Sequence, residues 1–229
     1  MRRMLLDAAY ALFTEGGLEA ITIRAVALKA KVAVMTPYNY FENKADMLES
    51  LWDSVIDDLL IQQKAAVSTH TLPRDRLKAN IESFLAFWET DPTLYQFVYM
   101  PPLDRAGEIK VATTSTSSRF QLWEFSKSLT ADFAASIGAD LAEVETATHL
   151  RHFVVMGFLH TSLIYVRSKE NMIRLRPMVV EQAIETCERH LLKSKAVRSP
   201  RKAGNETKDS RIGQHRGKAE QQLKEKGLP

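Results

Sequence analysis

Apolar residues recur every three or four positions through most of the first 195 residues, without a sustained two-residue alternation. That is the period of helices buried along one side. Leu5, Ala8, Ala9, Leu12 and Phe13 make one stripe over 2–15, which Gly16-Gly17 stops. Thr22 is suited to cap a second helix with Ile23, Val26, Ala27 and Ala30 on one face. A third short helix is predicted over 34–41, with Val32 and Phe41 turned back on the second and Thr36, Tyr38, Asn39 and Tyr40 left outside. Asn43, with Asp46 three residues on, resembles a capping box for a long fourth helix carrying Leu48, Leu51, Trp52, Val55, Ile56 and Leu59. His70 to Pro73 ends it. Further helices are predicted at 74–90, 92–100, 104–136, 141–167 and 177–194, divided by Asp91-Pro92, Met100-Pro101-Pro102, Gly138 and Arg176-Pro177. Thr113 to Ser118 is a polar run that breaks the 104–136 segment or loops out of it. Beyond Lys193 the chain becomes polar, basic and poor in apolar residues, the composition of a disordered tail.

The expected fold is therefore all-α. An N-terminal three-helix helix-turn-helix domain over 1–46 precedes a larger helical domain over 47–195 and a basic tail over 196–229. In a helix-turn-helix the second helix enters the DNA major groove while the first crosses the phosphate backbone. A helix as short as 34–41 needs its neighbours to hold it.

From Arg2 to Leu48 the chain resembles the TetR family of bacterial transcriptional regulators. The resemblance rests on Ala8-Ala9, Leu12-Phe13, Glu15-Gly16-Gly17, Thr22-Ile23-Arg24, Ala30-x-Val32 and Tyr38-x-Tyr40-Phe41-x-x-Lys44, with Leu48 following. Three positions depart from the family pattern, which would place Gly at Lys31, Ser at Ala33 and an aliphatic residue at Pro37. Lys31 falls where the turn takes a left-handed conformation. Ala33 cannot cap and Pro37 cannot donate a helix hydrogen bond. The expected repair is a cap at Thr36 with Pro37 at the first helical position, which shortens or re-aims the reading helix.

The resemblance implies a DNA-binding set of Thr22, Arg24, Thr36, Tyr38, Asn39, Tyr40 and Lys44. Tyr38, Tyr40 and Lys44 match positions that contact phosphates, and Lys44 also stands at a helix start whose dipole favours an anion. Arg24 matches a position that reaches a base edge in some members, and an arginine can make two bonds to guanine. Thr36 and Asn39 are further candidate readers. Two residues apart on a helix, Tyr38 and Tyr40 cannot both face inward.

The chain has ten phenylalanines, six tyrosines and three tryptophans, and 13 of these lie between Phe84 and Tyr165. A helical core accounts for many of them. The resemblance implies that this half also holds a small hydrophobic or amphipathic effector in a cavity between helices. Such pockets are mainly apolar with a few placed polar groups. The candidate walls are Phe84, Trp88, Tyr95, Tyr99 and Trp123, then Phe153 and Met156, with Gln121 and His152 as polar members. The last two helices carry more apolar surface than a solvent face allows, and the family pairs them with their symmetry mates. That makes Val155, Phe158, Leu159, Ser162 and Leu163, with Val180, Ala183, Ile184 and Cys187, a candidate homodimer interface. The alternative is a helix buried within one chain.

Net charge is +3, but 196–229 holds nine Lys and Arg against four acids, so that tail carries +5 and the preceding residues −2. The overall basicity belongs to the tail. Between Arg24 and Lys44 four basic residues face one acid, Glu42, which is the more local sign of a DNA surface. No apolar run reaches membrane-spanning length and Arg2-Arg3 leads straight into a helix, so a cytoplasmic protein with no membrane partner is expected. The single cysteine, Cys187, excludes an internal disulfide. Two other readings compete with a regulator of double-stranded DNA. A non-specific DNA-binding protein would use the tail as a polycation. An all-helical metal-binding enzyme would use Glu145, His149 and His152, but the paired Glu-x-x-His of a second helix is missing. With no phosphate loop, nucleophile elbow or HExxH, neither catalysis nor a cofactor is expected.

Overall fold

The computed structural model describes residues 1–100, 117–166 and 168–198, and every regular element among them is helical. The order is α1 (Arg2–Ala20), α2 (Ile23–Lys29), a 3₁₀ turn (Thr36–Asn39), α3 (Lys44–Ser68), α4 (Pro73–Thr90), α5 (Pro92–Tyr99) and α6 (Ser118–Ser136). A short 3₁₀ turn (Leu141–Glu143) then leads into α7 (Val144–His160), which loosens into a π-helical stretch (Thr161–Val166) before α8 (Lys169–Arg198). Met1–Ser194 form one compact unit, and the tail expected over 196–229 lies almost wholly outside the described residues. So does most of the polar run at 113–118.

α1 is longer than the stripe implied because helical hydrogen bonding resumes after a break. Gly16 and Gly17 leave helical geometry, and Gly17 takes φ +69 and ψ −165, a conformation closed to residues with a side chain. The chain then closes with Leu18 and Ile21 against the core side.

α3 is the central element, packing along α4 and also against α6 and α1. Its start follows from its sequence. Asn43 accepts from the Asp46 amide at 3.0 Å, while Asp46 accepts from the Glu42 amide at 2.8 Å, one residue further back than a capping box reaches. Met47, Leu51, Trp52, Val55, Ile56, Leu59 and Val67 are all buried along it. Each such side chain contributes about 1.5–3 kcal/mol on leaving water, which makes α3 the rod joining the two ends of the molecule.

α8 departs from expectation at its start. Arg176-Pro177 reads as a helix boundary, yet the helix begins at Lys169 and runs through Pro177. Ser168 provides the start, its hydroxyl accepting from the Asn171 amide at 3.3 Å and its carbonyl from the Met172 amide at 3.0 Å. The proline forfeits one hydrogen bond, and the neighbouring register is held elsewhere. Arg176 donates to Glu89 at 3.0 Å and to the Glu82 carbonyl at 2.8 Å on α4, and Met172, Val180, Ala183, Ile184, Cys187 and Leu191 are buried.

Candidate nucleic-acid interface and ligand cavity

The helix-turn-helix is present, with an altered second arm. Thr22 caps α2 by accepting from the Ala25 amide at 3.1 Å. At the other end of α2, Val32 N–H reaches the Ala27 carbonyl at 3.0 Å and Lys31 N–H the Leu28 carbonyl at 3.1 Å, a Schellman turn that forces Lys31 to φ +56. The expected 34–41 helix is reduced to the 3₁₀ turn Thr36–Asn39. Thr36 does not cap it. Its amide already bonds to the Ala33 carbonyl at 2.9 Å, so the chain has turned before Thr36, and Met35 occupies the cap position without a side-chain bond. Pro37 sits buried in the first turn, and its carbonyl accepts from both Tyr40 and Phe41.

This shortened arm leaves its polar side chains outside. Arg24 and Asn39 are exposed, Thr36 is half-buried, and Tyr38 and Tyr40 are 50% and 41% exposed while Phe41 between the helices is buried. Both tyrosines therefore face away from the core. The basic residues divide. Lys29 is paired with Glu15, and Lys44 donates to the Leu18 carbonyl at 2.8 Å. Arg24 and Lys31 are exposed.

In the larger half, α3, α4, α6 and α7 enclose a cavity of about 250 Å³ whose wall α5 completes. Four of the expected wall residues meet there: Phe84, Tyr99, Trp123 and His152. Trp88 and Tyr95 are fully buried behind them, Trp88 lying edge-on to Tyr99 at 5.2 Å between ring centroids. Gln121 and Phe153 are exposed, Phe153 by 64%, and Met156 is half-buried outside the lining, because α6 and α7 turn those positions away from the cavity. Val155, read as a dimer residue, lines the cavity instead.

The polar half of this wall was not anticipated. Arg151 is 4% exposed, and its guanidinium bonds Asn80 Oδ1 at 3.1 Å, Ser126 Oγ at 2.6 Å and Thr130 Oγ1 at 3.4 Å. Its Nε, the Asn80 Nδ2 and the Gln63 Oε1 are buried and unpartnered. Burial lowers the Arg151 pKa to about 10, so it remains a cation at neutral pH. A buried charge costs several kcal/mol unless it is compensated. His152 next to it has its pKa lowered to about 4, by burial first and then by Arg151 and His149. The missed signal is one of phase: Ala147, Thr148, Arg151, Val155 and Leu159 share the buried stripe of α7, and an arginine there is out of place.

The proposed dimer set is mostly internal. Val155, Leu159, Ser162, Leu163, Val180, Ala183, Ile184 and Cys187 are all buried within the chain, and only Phe158 of the nine is half-exposed. Burial pushes the Cys187 thiol up to about 11 against the pull of Arg151. Large apolar side chains exposed on α7 and α8 are Phe153, Ile173, Met178 and Leu192. Among the described residues no His, Cys, Asp and Glu cluster could hold a metal, and no helix is long and apolar enough to cross a membrane.

Residues 5–51 match the family model of bacterial regulatory proteins, tetR family. FasR of Mycolicibacterium smegmatis, a helix-turn-helix transcriptional activator, is 29% identical over 148 residues, covering 62% of this chain and 68% of that protein. KstR of Rhodococcus jostii, a transcriptional repressor, is 51% identical over 49 residues, which span only 21% of this chain and 23% of the repressor. The fold is shared with FadR of Bacillus halodurans, a fatty acid degradation regulator, at a TM-score of 0.63 and 14% identity, covering 83% of this chain and 94% of that one. FadR of Bacillus subtilis, solved with stearoyl-CoA, overlays at 0.53 and 14% identity, covering 83% and 98%. The match over 5–51 makes the N-terminal helix-turn-helix of this chain similar to the tetR family of bacterial regulatory proteins, and the helical architecture behind it is shared with the solved regulators.

Proposed function

We propose that the protein is a ligand-responsive transcriptional regulator that binds a palindromic DNA operator as a homodimer and is released by a small hydrophobic or amphipathic molecule. The observation that carries this reading is that one helix, α3, serves both ends. Lys44 at its start lies beside the reading turn, and Ile56 and Gln63 further along it form the cavity wall.

At the DNA, Arg24 is the candidate for base readout, with Thr36 and Asn39 beside it. Tyr38 and Tyr40 offer hydroxyl donors to phosphates. Lys44 would have to release the Leu18 carbonyl to join them. A two-fold dimer would set two such turns roughly 34–36 Å apart, matching successive major grooves. The exposed apolar residues Phe153, Ile173, Met178 and Leu192, with Phe158, supply the contact surface of that dimer in this reading, rather than the buried positions on the same helices.

Ligand in the cavity would touch Val98 and Tyr99 on α5 as well as α3. Phe97 on α5 packs against Phe13 and Tyr10 of α1 and against Trp52 of α3. A ligand that prefers one setting of these helices shifts the population toward it and changes the half-site spacing. Repression follows where the operator overlaps a promoter, as the repressor relatives' names support. Regulation rather than catalysis, in the cytoplasm, is part of the same proposal. Operator titration with and without saturating ligand tests it: affinity is expected to fall at least tenfold, and unchanged affinity would contradict release.

A further inference from the structure

We propose that the cavity ligand is a carboxylic acid with an apolar body, its carboxylate received by Arg151 and Asn80. This rests on the reading of the cavity as the effector site and names the chemistry that site selects.

The argument starts from an unbalanced charge. Arg151 is buried among α4, α6 and α7, and among the described residues every hydrogen-bond partner it has is neutral: the Asn80 amide oxygen, the Ser126 hydroxyl and carbonyl, and the Thr130 hydroxyl. The described cavity lining contains a second cation, Arg119, together with His152, and no aspartate or glutamate. Arg119 lies with its guanidinium carbon 5.5 Å above the Trp52 ring. Two donors on this wall, Arg151 Nε and Asn80 Nδ2, are buried without acceptors. A purely structural arginine at such a depth would be expected to meet a carboxylate of its own chain. Among the described residues the one acceptor left over on this wall, Gln63 Oε1, is neutral, so negative charge is wanting, and a ligand carboxylate supplies it together with two oxygens for the unpartnered donors.

The rest of the lining argues for the body of the ligand. Ile56, Ile81, Phe84, Val98, Leu122 and Val155 are apolar, and Trp123 and Tyr99 add flat faces. The cavity of about 250 Å³ lies just under the roughly 300–1,000 Å³ of drug-sized pockets. One charged head and one compact apolar body satisfy both halves of the wall.

The test is calorimetric titration of the full chain with a panel of aliphatic and aryl carboxylic acids, each paired with its primary amide, which keeps the shape and removes the charge, and with the corresponding alkyl or aryl phosphate. At least one acid is expected to bind about tenfold or more tighter than its amide, and tighter than its phosphate, because a charge-assisted bond replaces a neutral one. Arg151→Met is expected to level acid and amide, and Arg151→Lys to restore part of the difference. Since Arg151 also bridges helices, Asn80→Asp provides a variant that should fold: its carboxylate lies within reach of Arg151, so the acid preference should vanish while the melting temperature holds or rises. Equal binding of acids and amides, a stronger phosphate, an acid preference that survives Asn80→Asp or Arg151→Met, or no binding of any acid would each overturn the proposal. Operator occupancy is read separately. An amide that binds and releases DNA would overturn the carboxylate alone, whereas an acid held through Arg151 that leaves DNA occupancy unchanged would overturn the effector reading alone.

Discussion

Phe13 and Phe97 pack with their ring centroids 4.6 Å apart, joining α1 of the DNA-binding end to α5, the helix whose next two residues line the cavity. The same junction carries a hydrogen bond. The Tyr10 hydroxyl of α1 donates to Asp91, whose other oxygen caps α5 by accepting from the Thr93 and Leu94 amides at 3.0 Å. Movement of α5 thus acts on α1 directly as well as through α3. Tyr10→Phe keeps the ring and removes the bond. It is expected to lower stability by about 1–2 kcal/mol and to weaken, about threefold or more, the ligand's effect on operator affinity, with ligand affinity itself little changed. Paired titrations of ligand and operator check this.

Lys31 stands in left-handed backbone at φ +56, where its Cβ is strained. Lys31→Gly relieves about 1 kcal/mol, less the backbone freedom that glycine brings to the unfolded chain. The melting temperature is expected to rise by roughly 2–4 °C or less, measured by calorimetry at one protein concentration.

His152 makes stability fall in mild acid. The unfolded chain takes up a proton near its ordinary value of 6.5, whereas the folded chain refuses it until about 4, so stability is lost as pH drops through that window. The loss from this group is at most about 3 kcal/mol. His152→Asn is expected to flatten the decline between these pH values in denaturant titrations, after carboxylate contributions common to both proteins cancel.

Cys187 is fully buried, and burial lifts its thiol to about 11. A thiol reagent at neutral pH is expected to label it only as the chain unfolds, so labelling and loss of helicity should share one denaturant midpoint. Fast labelling of the native protein would contradict the packing of α8.

The start of α3 and the stripe of α1 were legible because caps and period are local. Asn43 and Asp46 announce a helix whatever surrounds them, and Thr22 does the same for α2. The reading turn was legible only in outline: Pro37 signalled a shortened arm, but the backbone bond from Thr36 to Ala33 that moves its start depends on the whole turn. α8 was misread because a proline step is a local signal, while Ser168 and the Arg176 contacts to α4 restore the helix from either side. The cavity was half legible. Its aromatic wall follows from composition, yet Phe153 and Gln121 turn outward because aromatic or polar character does not reveal helix phase. Arg151 and Asn80 went unnoticed since their significance is the absence of a counter-charge, which exists only once three helices meet. The internal burial of Ile184 and Leu159 has the same origin: an apolar stripe does not say whether its own chain or a second copy covers it.

The measurement that tests the account most directly is a selection of genomic DNA fragments by the purified protein at physiological salt, run beside Arg24→Ala. The expected result is a short palindrome enriched by the wild type, with the variant relaxed at the base pair Arg24 reads by about 1–3 kcal/mol of discrimination. Enrichment of no sequence by the wild type, or an identical palindrome with both proteins, would contradict respectively the regulator reading and the role given to Arg24.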